Sequence, residues 1–208
     1  MINLAFHGKR FANAGVAASA CLVILCVPAR PAEIDRRGAT ITLAGAIVGG
    51  DEFKFRDMLK AAGGGAVEIV NLNSDGGDIA PAGEIGRLIR TRRLATLVDG
   101  MRAKCASACT VIFAGGVRRY YINAETLSEG PMSNSNFIGL GFHDGNSQLA
   151  LAKNKYSGRA SAQMIGFFYE FGIPRAAALV TKAPPEQLYR ISGQTALAIG
   201  IATALRRP

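Results

Sequence analysis

Two short segments of the sequence can place main-chain amides beside a hydroxyl group. Gly76 and Gly77 follow a predicted strand and precede a predicted helix, and Ser107 lies at the start of a second helix. Helix N-termini carry unpaired N–H groups and partial positive charge, so they stabilise anions. If the amides of Gly77 and Ala108 converge, they form an oxyanion hole next to a serine nucleophile. Taken alone, each segment also fits a structural role, because Gly-Gly is a common turn and serine a common N-cap.

A histidine can supply the base that a serine nucleophile needs. A serine hydroxyl is weakly nucleophilic at neutral pH and requires a general base within hydrogen-bond reach. His143 follows a short Gly-rich strand, whereas the other histidine, His7, lies in an N-terminal segment that we expect to be removed. A lone histidine is more often a surface or core residue, but together with Ser107 and the two amide-bearing turns it predicts a serine hydrolase.

The cysteines argue against a disulfide-rich scaffold and against a zinc protein. Cys21 and Cys26 fall in the N-terminal segment, which leaves Cys105 and Cys109 on either side of Ser107. One histidine and two closely spaced cysteines do not make an evident zinc site, and we expect no metal and no other cofactor. The two cysteines either form a strained disulfide that shapes the turn or pack as small buried side chains, and we favour packing.

The elements that must position these residues alternate between strands and helices. β-Branched and apolar runs predict strands at 39–48, 66–72, 94–98, 117–122 and 137–142. Helical spacing and caps predict helices after Asp51, after Asp78, over 110–114, over 148–171, after Pro174 and after Ser192. Residues 73–77 are expected to form a tight turn and 123–136 a loop. This alternation, with glycine turns between elements, implies an α/β domain with a mainly parallel sheet.

The N-terminal segment has the pattern of a secretory signal. Lys9 and Arg10 precede a mainly apolar stretch, 14–27, which is too short to span a bilayer comfortably as a helix. We expect export with cleavage near Ala29. An uncleaved anchor is the alternative, and a lipoprotein is a weaker one.

Length and charge limit what the rest of the chain does. We expect residues 1–29 to be a signal peptide or membrane anchor and residues 30–208 to form one domain, long enough to bury a full core. The net charge of +9 comes from scattered Lys and Arg without Trp, so no nucleic-acid partner is expected. The protein is expected to be periplasmic or secreted, with membrane contact only through an uncleaved N-terminal segment.

The ordered set of motifs resembles the Clp protease/crotonase superfamily, and within it the predicted periplasmic proteins similar to the Clp proteolytic subunit. The segments that carry the resemblance, within residues 38–205, are Leu72-Asn-Ser-Asp-Gly-Gly-Asp78, Cys105-Ala-Ser-Ala-Cys109 and Gly141-Phe-His143. The resemblance implies a spiral of ββα units, commonly assembled into rings or trimers. It also implies a nucleophile at Ser107, a base at His143, and oxyanion donors at Gly77 and Ala108.

The sequence departs from the family pattern in two places. The segment between the serine and the histidine is longer than in compact members, with 125–136 as the expected insertion. The orienting acid expected just before the last helix is missing, since Leu188 occupies its position. Glu186, two residues earlier, or Asp144 next to the histidine are the candidate substitutes. In well-studied triads the acid contributes on the order of 10⁴ in rate.

Three functions are compatible with these observations. The favoured one is a serine peptidase that acts outside the cytoplasm on peptides or unfolded proteins, as a homo-oligomer. The missing acid supports the alternative of a catalytically weak or inactive member that binds peptides or assembles with envelope partners. Acyl-CoA chemistry ranks last, because it needs a carboxylate in the pocket and an exported protein rarely meets coenzyme A.

Overall fold

The computed structural model describes residues 31–60, 68–146 and 155–207, so the predicted signal peptide or anchor and the start of the predicted helix 148–171 lie outside the described residues. The strands are β1 (Glu33–Arg37), β2 (Thr40–Ile47), β3 (Ile69–Gly77), β4 (Ala95–Asp99), β5 (Lys104–Ala106), β6 (Arg118–Ile122), β7 (Gly130–Ser133), β8 (Gly139–Phe142) and β9 (Gln187–Arg190). The helices are α1 (Asp51–Lys60), α2 (Ile79–Thr91), α3 (Ala108–Gly115), α4 (Gly158–Glu170), α5 (Pro174–Ala177) and α6 (Gly193–Ala198). Among these helices, none is long and apolar enough to cross a membrane.

The strands form a nine-stranded sheet whose central pairs are parallel. Its main path runs β1-β2-β3-β5-β8-β9-β7, and β4 pairs with both β3 and β6. Pairs between β2 and β3, β3 and β5, and β5 and β8 are parallel, whereas the pairs at the two ends of the path are antiparallel. The prediction of an α/β domain with a mainly parallel sheet is confirmed.

Strand β3 belongs to two arms of this sheet. Its first residues pair with β4, whereas Ser74, further along, pairs with Cys105 of β5. In the next pair of strands, Ala106 of β5 lies opposite Gly141 of β8. Because the carboxyl ends of parallel strands meet at one edge of a sheet, the ends of β3, β5 and β8 lie side by side. Three segments that are distant in sequence are therefore brought to one place.

Helix α3 lies at the centre of the core. All 8 of its residues are buried, as its apolar composition predicts. α2 and α4 pack against it with buried apolar side chains, among them Ile85 and Ile89 of α2 and Met164 and Phe168 of α4. This packing fixes the N-terminal end of α3, which follows Ser107 directly.

Tyr121 of β6 holds β8 in place. Its buried hydroxyl donates a hydrogen bond to the carbonyl of Ile191 (3.1 Å) and accepts one from the amide of Leu140 (3.0 Å). Burial raises the pKa of Tyr121 to about 12, so the phenol stays protonated and makes both bonds. Since Leu140 lies in β8, this contact supports the strand that leads to His143.

Several short strands differ from the sequence prediction. Residues 73–77, predicted as a tight turn, are the second half of β3. β1, β5 and β9 were not predicted, and β7 lies inside the predicted loop 123–136. Asn, Asp, Ser and Gly have low strand propensity, but pairing with neighbouring strands overrides it. Asp78 is the N-cap residue of α2, as predicted, yet its carboxylate accepts from the amide of Gly49 (3.2 Å) rather than from the helix.

Candidate active site

Ser107 occupies a sharp turn between β5 and α3. Its backbone has φ 53° and ψ −124°, a combination that side-chain-bearing residues rarely adopt. Its amide donates to the carbonyl of Gly141 (2.9 Å), and its own carbonyl accepts from the amide (2.9 Å) and hydroxyl (2.6 Å) of Thr110. A strained strand-to-helix turn that presents a serine is the local geometry of nucleophile elbows in hydrolases.

The end of β3 lies against this turn and requires glycine there. Gly76 has φ +92°, and a Cβ added to it would lie 2.6 Å from the carbonyl oxygen of Ala106 and 2.9 Å from the Cβ of Ser107. Gly77 has φ +139°, and a Cβ on it would lie 2.1 Å from the carbonyl oxygen of Ile47 in β2. Both glycines are therefore needed for the close approach of three strands.

The segments that hold the two predicted oxyanion donors, Gly77 and Ala108, lie next to each other. The Cβ position of Gly76 is 3.1 Å from the amide nitrogen of Ala108, and Gly77 lines a cavity together with Ser107. Ala108 is the first residue of α3, where an amide has no acceptor within its own helix. The end of β3 and the start of α3 thus adjoin each other, while the role of the two amides stays a prediction.

His143 comes directly after β8, the neighbour of β5. The imidazole is buried, and its Nδ1 lies 2.5 Å from the carbonyl oxygen of Asp144. Burial lowers the pKa of His143 below its ordinary value, and the Asp144 carbonyl together with the charges of Asp144 and Glu186 acts in the opposite direction. The ring is therefore neutral at neutral pH, which is the state that a general base needs.

Ser107 and His143 line the same cavity, which has a volume of about 480 Å³. Other residues on its wall are Gly76, Gly77, Asp78, Asn134, Asn146, Glu186 and Leu188. Within the described part of the chain, no hydrogen bond joins the Ser107 hydroxyl to the imidazole. Catalytic hydrogen bonds of this kind are often long without substrate and shorten in the substrate complex.

A second cavity adjoins the first at the serine. It has a volume of about 290 Å³ and shares Gly77, Asp78, Ser107 and Asn146 with the larger one. Its remaining wall is mainly apolar, formed by Ile79, Ala80, Pro81, Gly145 and Ala160, with the polar Gln163 beside them. An apolar recess next to a nucleophile can hold a side chain of an acyl substrate.

Solved structures with the same arrangement of strands and helices include proteases. The 1510-N membrane-bound stomatin-specific protease, solved as a variant, aligns over 80% of this chain and 78% of that chain, with 15% identity and a TM-score of 0.55. A second variant of that protease, in complex with a substrate peptide, aligns over 80% and 74%, with 14% identity and a TM-score of 0.51. ClpP1 from Listeria monocytogenes, also a variant, aligns over 82% and 92%, with 13% identity and a TM-score of 0.54. The chain has the Clp protease/crotonase-like fold.

At this level of identity the similarity establishes the fold alone. No protein-family model matches the sequence, and no curated protein matches it either. Among residues 31–60, 68–146 and 155–207, no three His, Cys, Asp or Glu side chains are grouped to hold a metal ion. The roles of individual residues in this Clp protease/crotonase-like domain therefore depend on its own geometry.

The position of the expected orienting acid is apolar in this domain. Leu188 is buried in β9, in a hydrophobic cluster with Ala106 and Phe137. Glu186 lies on the wall of the cavity but is exposed, and in the described residues it forms no hydrogen bond with the imidazole. It acts on His143 only through its charge, because the Nδ1 atom is bonded to the Asp144 carbonyl.

The preferred interpretation of the cysteines was wrong. Cys105 and Cys109 form a disulfide, with their Cα atoms 5.1 Å apart, instead of packing as free thiols. Such a Cα separation is well within the range that a disulfide bridges. β5 and α3 hold one cysteine each, so the crosslink joins the two elements on either side of Ser107.

Two contacts at the site have no signal in the sequence. Lys104 pairs with the carboxylate of Asp75 (2.5 Å) and donates to the side chain of Asn134 (2.6 Å), so it ties the predicted insertion 125–136 to the end of β3. Ser161 of α4 donates to the carboxylate of Asp144 (3.0 Å), beside the histidine. Both pairs are distant in sequence, and neither a lysine on a strand nor a serine in a helix has a distinctive pattern.

Proposed function

We propose that this chain is a serine hydrolase of the peptidase class, with Ser107 as the nucleophile and His143 as the general base. The observation that supports it best is the strained turn at Ser107 on the cavity that His143 also lines. Strained backbone persists where the surrounding structure holds it in place, and it is concentrated at functional sites. A turn that served only to join β5 to α3 would need no serine in this conformation.

The proposed reaction uses the nitrogen of His143 that is not bonded to Asp144. Nε2 accepts the hydroxyl proton of Ser107 while Oγ bonds to the carbonyl carbon of the substrate. The imidazolium then gives that proton to the leaving amine as the carbon–nitrogen bond breaks, which leaves an acyl-enzyme. A water molecule transfers a proton to Nε2 as its oxygen attacks the acyl carbon, and the proton returns to the serine oxygen as the acid product departs.

The amides of Gly77 and Ala108 are the proposed donors to the oxyanion of the tetrahedral intermediate. They come from the end of β3 and the start of α3, which adjoin each other beside Ser107. Both are main-chain groups on rigid elements, so they need little reorganisation when the charge develops. Loss of one such donor typically costs about 10² to 10³ in kcat.

A peptide in extended conformation is the substrate that suits this cleft. Chains of this shape can add to the edge of a sheet by main-chain hydrogen bonds. The apolar recess beside Ser107, with Ile79 and Pro81 on its wall, would receive one side chain of that peptide. One of the neighbours with this fold was solved with a substrate peptide, which agrees with this class of ligand.

We further propose that the protein acts in the periplasm or outside the cell as a homo-oligomer. Residues 1–29 would direct export or anchor the chain, and 30–208 would form the catalytic domain. The disulfide between Cys105 and Cys109 supports export, because disulfides persist mainly in oxidising compartments. We propose no cofactor and no nucleic-acid partner.

A binding function without catalysis is the second candidate. The observations that favour it are the apolar Leu188 where the orienting acid is expected and the lack of a hydrogen bond, among the described residues, between Ser107 and His143. Such a protein would hold peptides in the same cleft or assemble with envelope partners. The reactivity of Ser107 separates the two candidates.

The test is covalent labelling of the purified, oxidised protein with a fluorophosphonate probe. We expect stoichiometric labelling that is lost in Ser107→Ala and strongly reduced in His143→Ala. Ser157→Ala is the matched control, since Ser157 caps α4 and its hydroxyl accepts from the amide of Ala160. Folded wild-type protein that gains no label at Ser107 would support the binding function instead.

A further inference from the structure

The histidine of the proposed site is paired with a main-chain group. Nδ1 of His143 lies 2.5 Å from the carbonyl oxygen of Asp144, the next residue in the chain. A carbonyl oxygen only accepts hydrogen bonds, so Nδ1 must carry the proton in this contact. Nε2 of the neutral ring is then free of a proton and can accept one.

The Asp144 carbonyl is held in place by contacts on both sides. The amide of Asp144 donates to the carbonyl of Ala183 (2.9 Å). Its carboxylate accepts from the hydroxyl of Ser161 (3.0 Å), and the same hydroxyl accepts from the amide of Gly145 (2.9 Å). Ser161 is 4% exposed on the inner face of α4, so one buried hydroxyl fixes two consecutive residues.

We infer that the main-chain carbonyl of Asp144 does the work of the missing orienting acid, and that Ser161 is the positioning residue that aims it. The inference rests on the proposed function, because it concerns how the base of that reaction is held. The carboxylate of Asp144 accepts a hydrogen bond from Ser161, and the hydrogen bond to the imidazole is made by the carbonyl. Through the contact between Ser161 and Asp144, helix α4 thus helps to orient the imidazole of His143.

This arrangement keeps the tautomer but lacks a full negative charge. A triad acid both holds the ring and stabilises the imidazolium that forms during the reaction. A carbonyl dipole holds the ring well, but it stabilises the imidazolium only weakly because its oxygen carries only a partial charge. We therefore expect the His143 ring to be correctly oriented and Ser107 to react slowly.

Labelling rates of two pairs of variants test the inference. Ser161→Ala and Asp144→Ala both remove the anchoring contact, and we expect the labelling rate of Ser107 to fall about 10- to 100-fold, the range seen when a reacting group is misplaced. Asp144→Asn keeps an oxygen that accepts from Ser161, so it should restore most of the rate. Ser157→Ala loses a serine hydroxyl from the start of the same helix and controls for general destabilisation of α4.

The tautomer of His143 gives a readout that does not depend on catalysis. Nitrogen-15 NMR of the imidazoles, with His143→Gln to assign the 2 histidines of the chain, should show the proton on Nδ1 in wild type. In Ser161→Ala we expect a mixture of tautomers. Protonation of Nε2 in wild type, or an unchanged tautomer and labelling rate in both Ser161→Ala and Asp144→Ala, would overturn the inference.

The two readouts also separate the inference from the proposed function. If Ser107 never reacts but the tautomer depends on Ser161, the positioning contact stands and the hydrolase proposal fails. If Ser107 reacts at the same rate in all four variants, the hydrolase proposal stands and the positioning role is wrong.

Discussion

The amide of Ser107 donates a hydrogen bond to the carbonyl of Gly141, with the two atoms 2.9 Å apart. Gly141 lies in β8, close before His143, so the strand that delivers the proposed base also fixes the backbone of the proposed nucleophile. The same pair of strands aligns Ala106 with Gly141. The relative position of the two backbone segments is thus set by strand pairing.

Relief of the strained turn should be measurable. With φ 53° and ψ −124°, residue 107 has a conformation that suits glycine, and strain of this kind costs about 1–3 kcal/mol. Ser107→Gly should therefore have a higher free energy of unfolding than Ser107→Ala, by about 1 kcal/mol after the greater flexibility of unfolded glycine is subtracted. Urea denaturation of both variants gives the comparison, and equal stabilities would show that the turn is not strained. Neither variant should label.

The contact between Gly76 and the serine turn should not tolerate a side chain. In Gly76→Ala the new Cβ would press on the carbonyl oxygen of Ala106, so we expect the labelling rate to fall about 100-fold as the turn shifts. Gly50→Ala is the matched control, because Gly50 has a similar φ of +99° but nothing within 4 Å of its Cβ position. Gly50→Ala should lose stability and keep the labelling rate. Equal losses of rate in both variants would contradict the packing argument.

The pH dependence of labelling should follow the lowered pKa of His143. Because burial lowers the pKa below its ordinary 6.5, the labelling rate should fall on acidification with a midpoint below pH 6.5. Glu186 raises this pKa through its charge, so Glu186→Gln should move the midpoint to lower pH. A fall in the high-pH rate on the order of 10⁴ in this variant would instead make Glu186 the orienting acid.

The same shift has a consequence for stability. The folded state binds the proton of His143 less readily than the unfolded state, so the free energy of unfolding should decrease as the pH falls through about 6.5. His143→Gln should lack this part of the pH dependence. Urea denaturation at pH 7.5 and pH 5.5 tests it, and a wild-type protein that loses no more stability between these pH values than His143→Gln would contradict it.

Reduction of the disulfide should loosen the elements around Ser107. Breaking the Cys105–Cys109 bond removes the link between β5 and α3, and for so short a loop we expect a loss of about 2 kcal/mol in unfolding free energy. Dithiothreitol should lower both the melting temperature and the labelling rate of wild type. The double variant Cys105→Ser with Cys109→Ser should not respond to the reductant. A wild-type rate that is unchanged by reduction would show that the elbow holds without the crosslink.

The fold could be predicted from the sequence because its signals are local. Apolar runs predicted the parallel strands other than β5, and the uniformly apolar segment 110–114 predicted the buried helix α3. The branching of β3 could not be predicted in this way. It depends on which strands pair, and polar residues such as those at 73–77 carry no strand signal of their own.

In the candidate site, too, the features with local sequence signals could be predicted, whereas those that depend on the folded backbone could not. Ser107, Gly77 and Ala108 lie at element ends that the sequence marks by small residues. Gly77 and Ser107 line one cavity with His143, and the roles of these residues remain predictions. The carbonyl of Asp144 could not be found, because every residue has one and its direction depends on the folded backbone. The disulfide was misjudged for a different reason: small buried cysteines more often pack unpaired, and the sequence does not give the distance between them.

The hydrogen-bonded pair of β5 and β8 has a consequence for how this architecture can vary. More than thirty residues separate the two strands along the chain, yet main-chain pairing sets their spacing in the sheet. Asn134, in the predicted insertion 125–136, lies on the wall of the cleft, so a substitution there can reshape the cleft while the pairing of β5 with β8 is kept. Under the proposed function, this part of the substrate-binding wall can change without a change in the strands that hold Ser107 and His143.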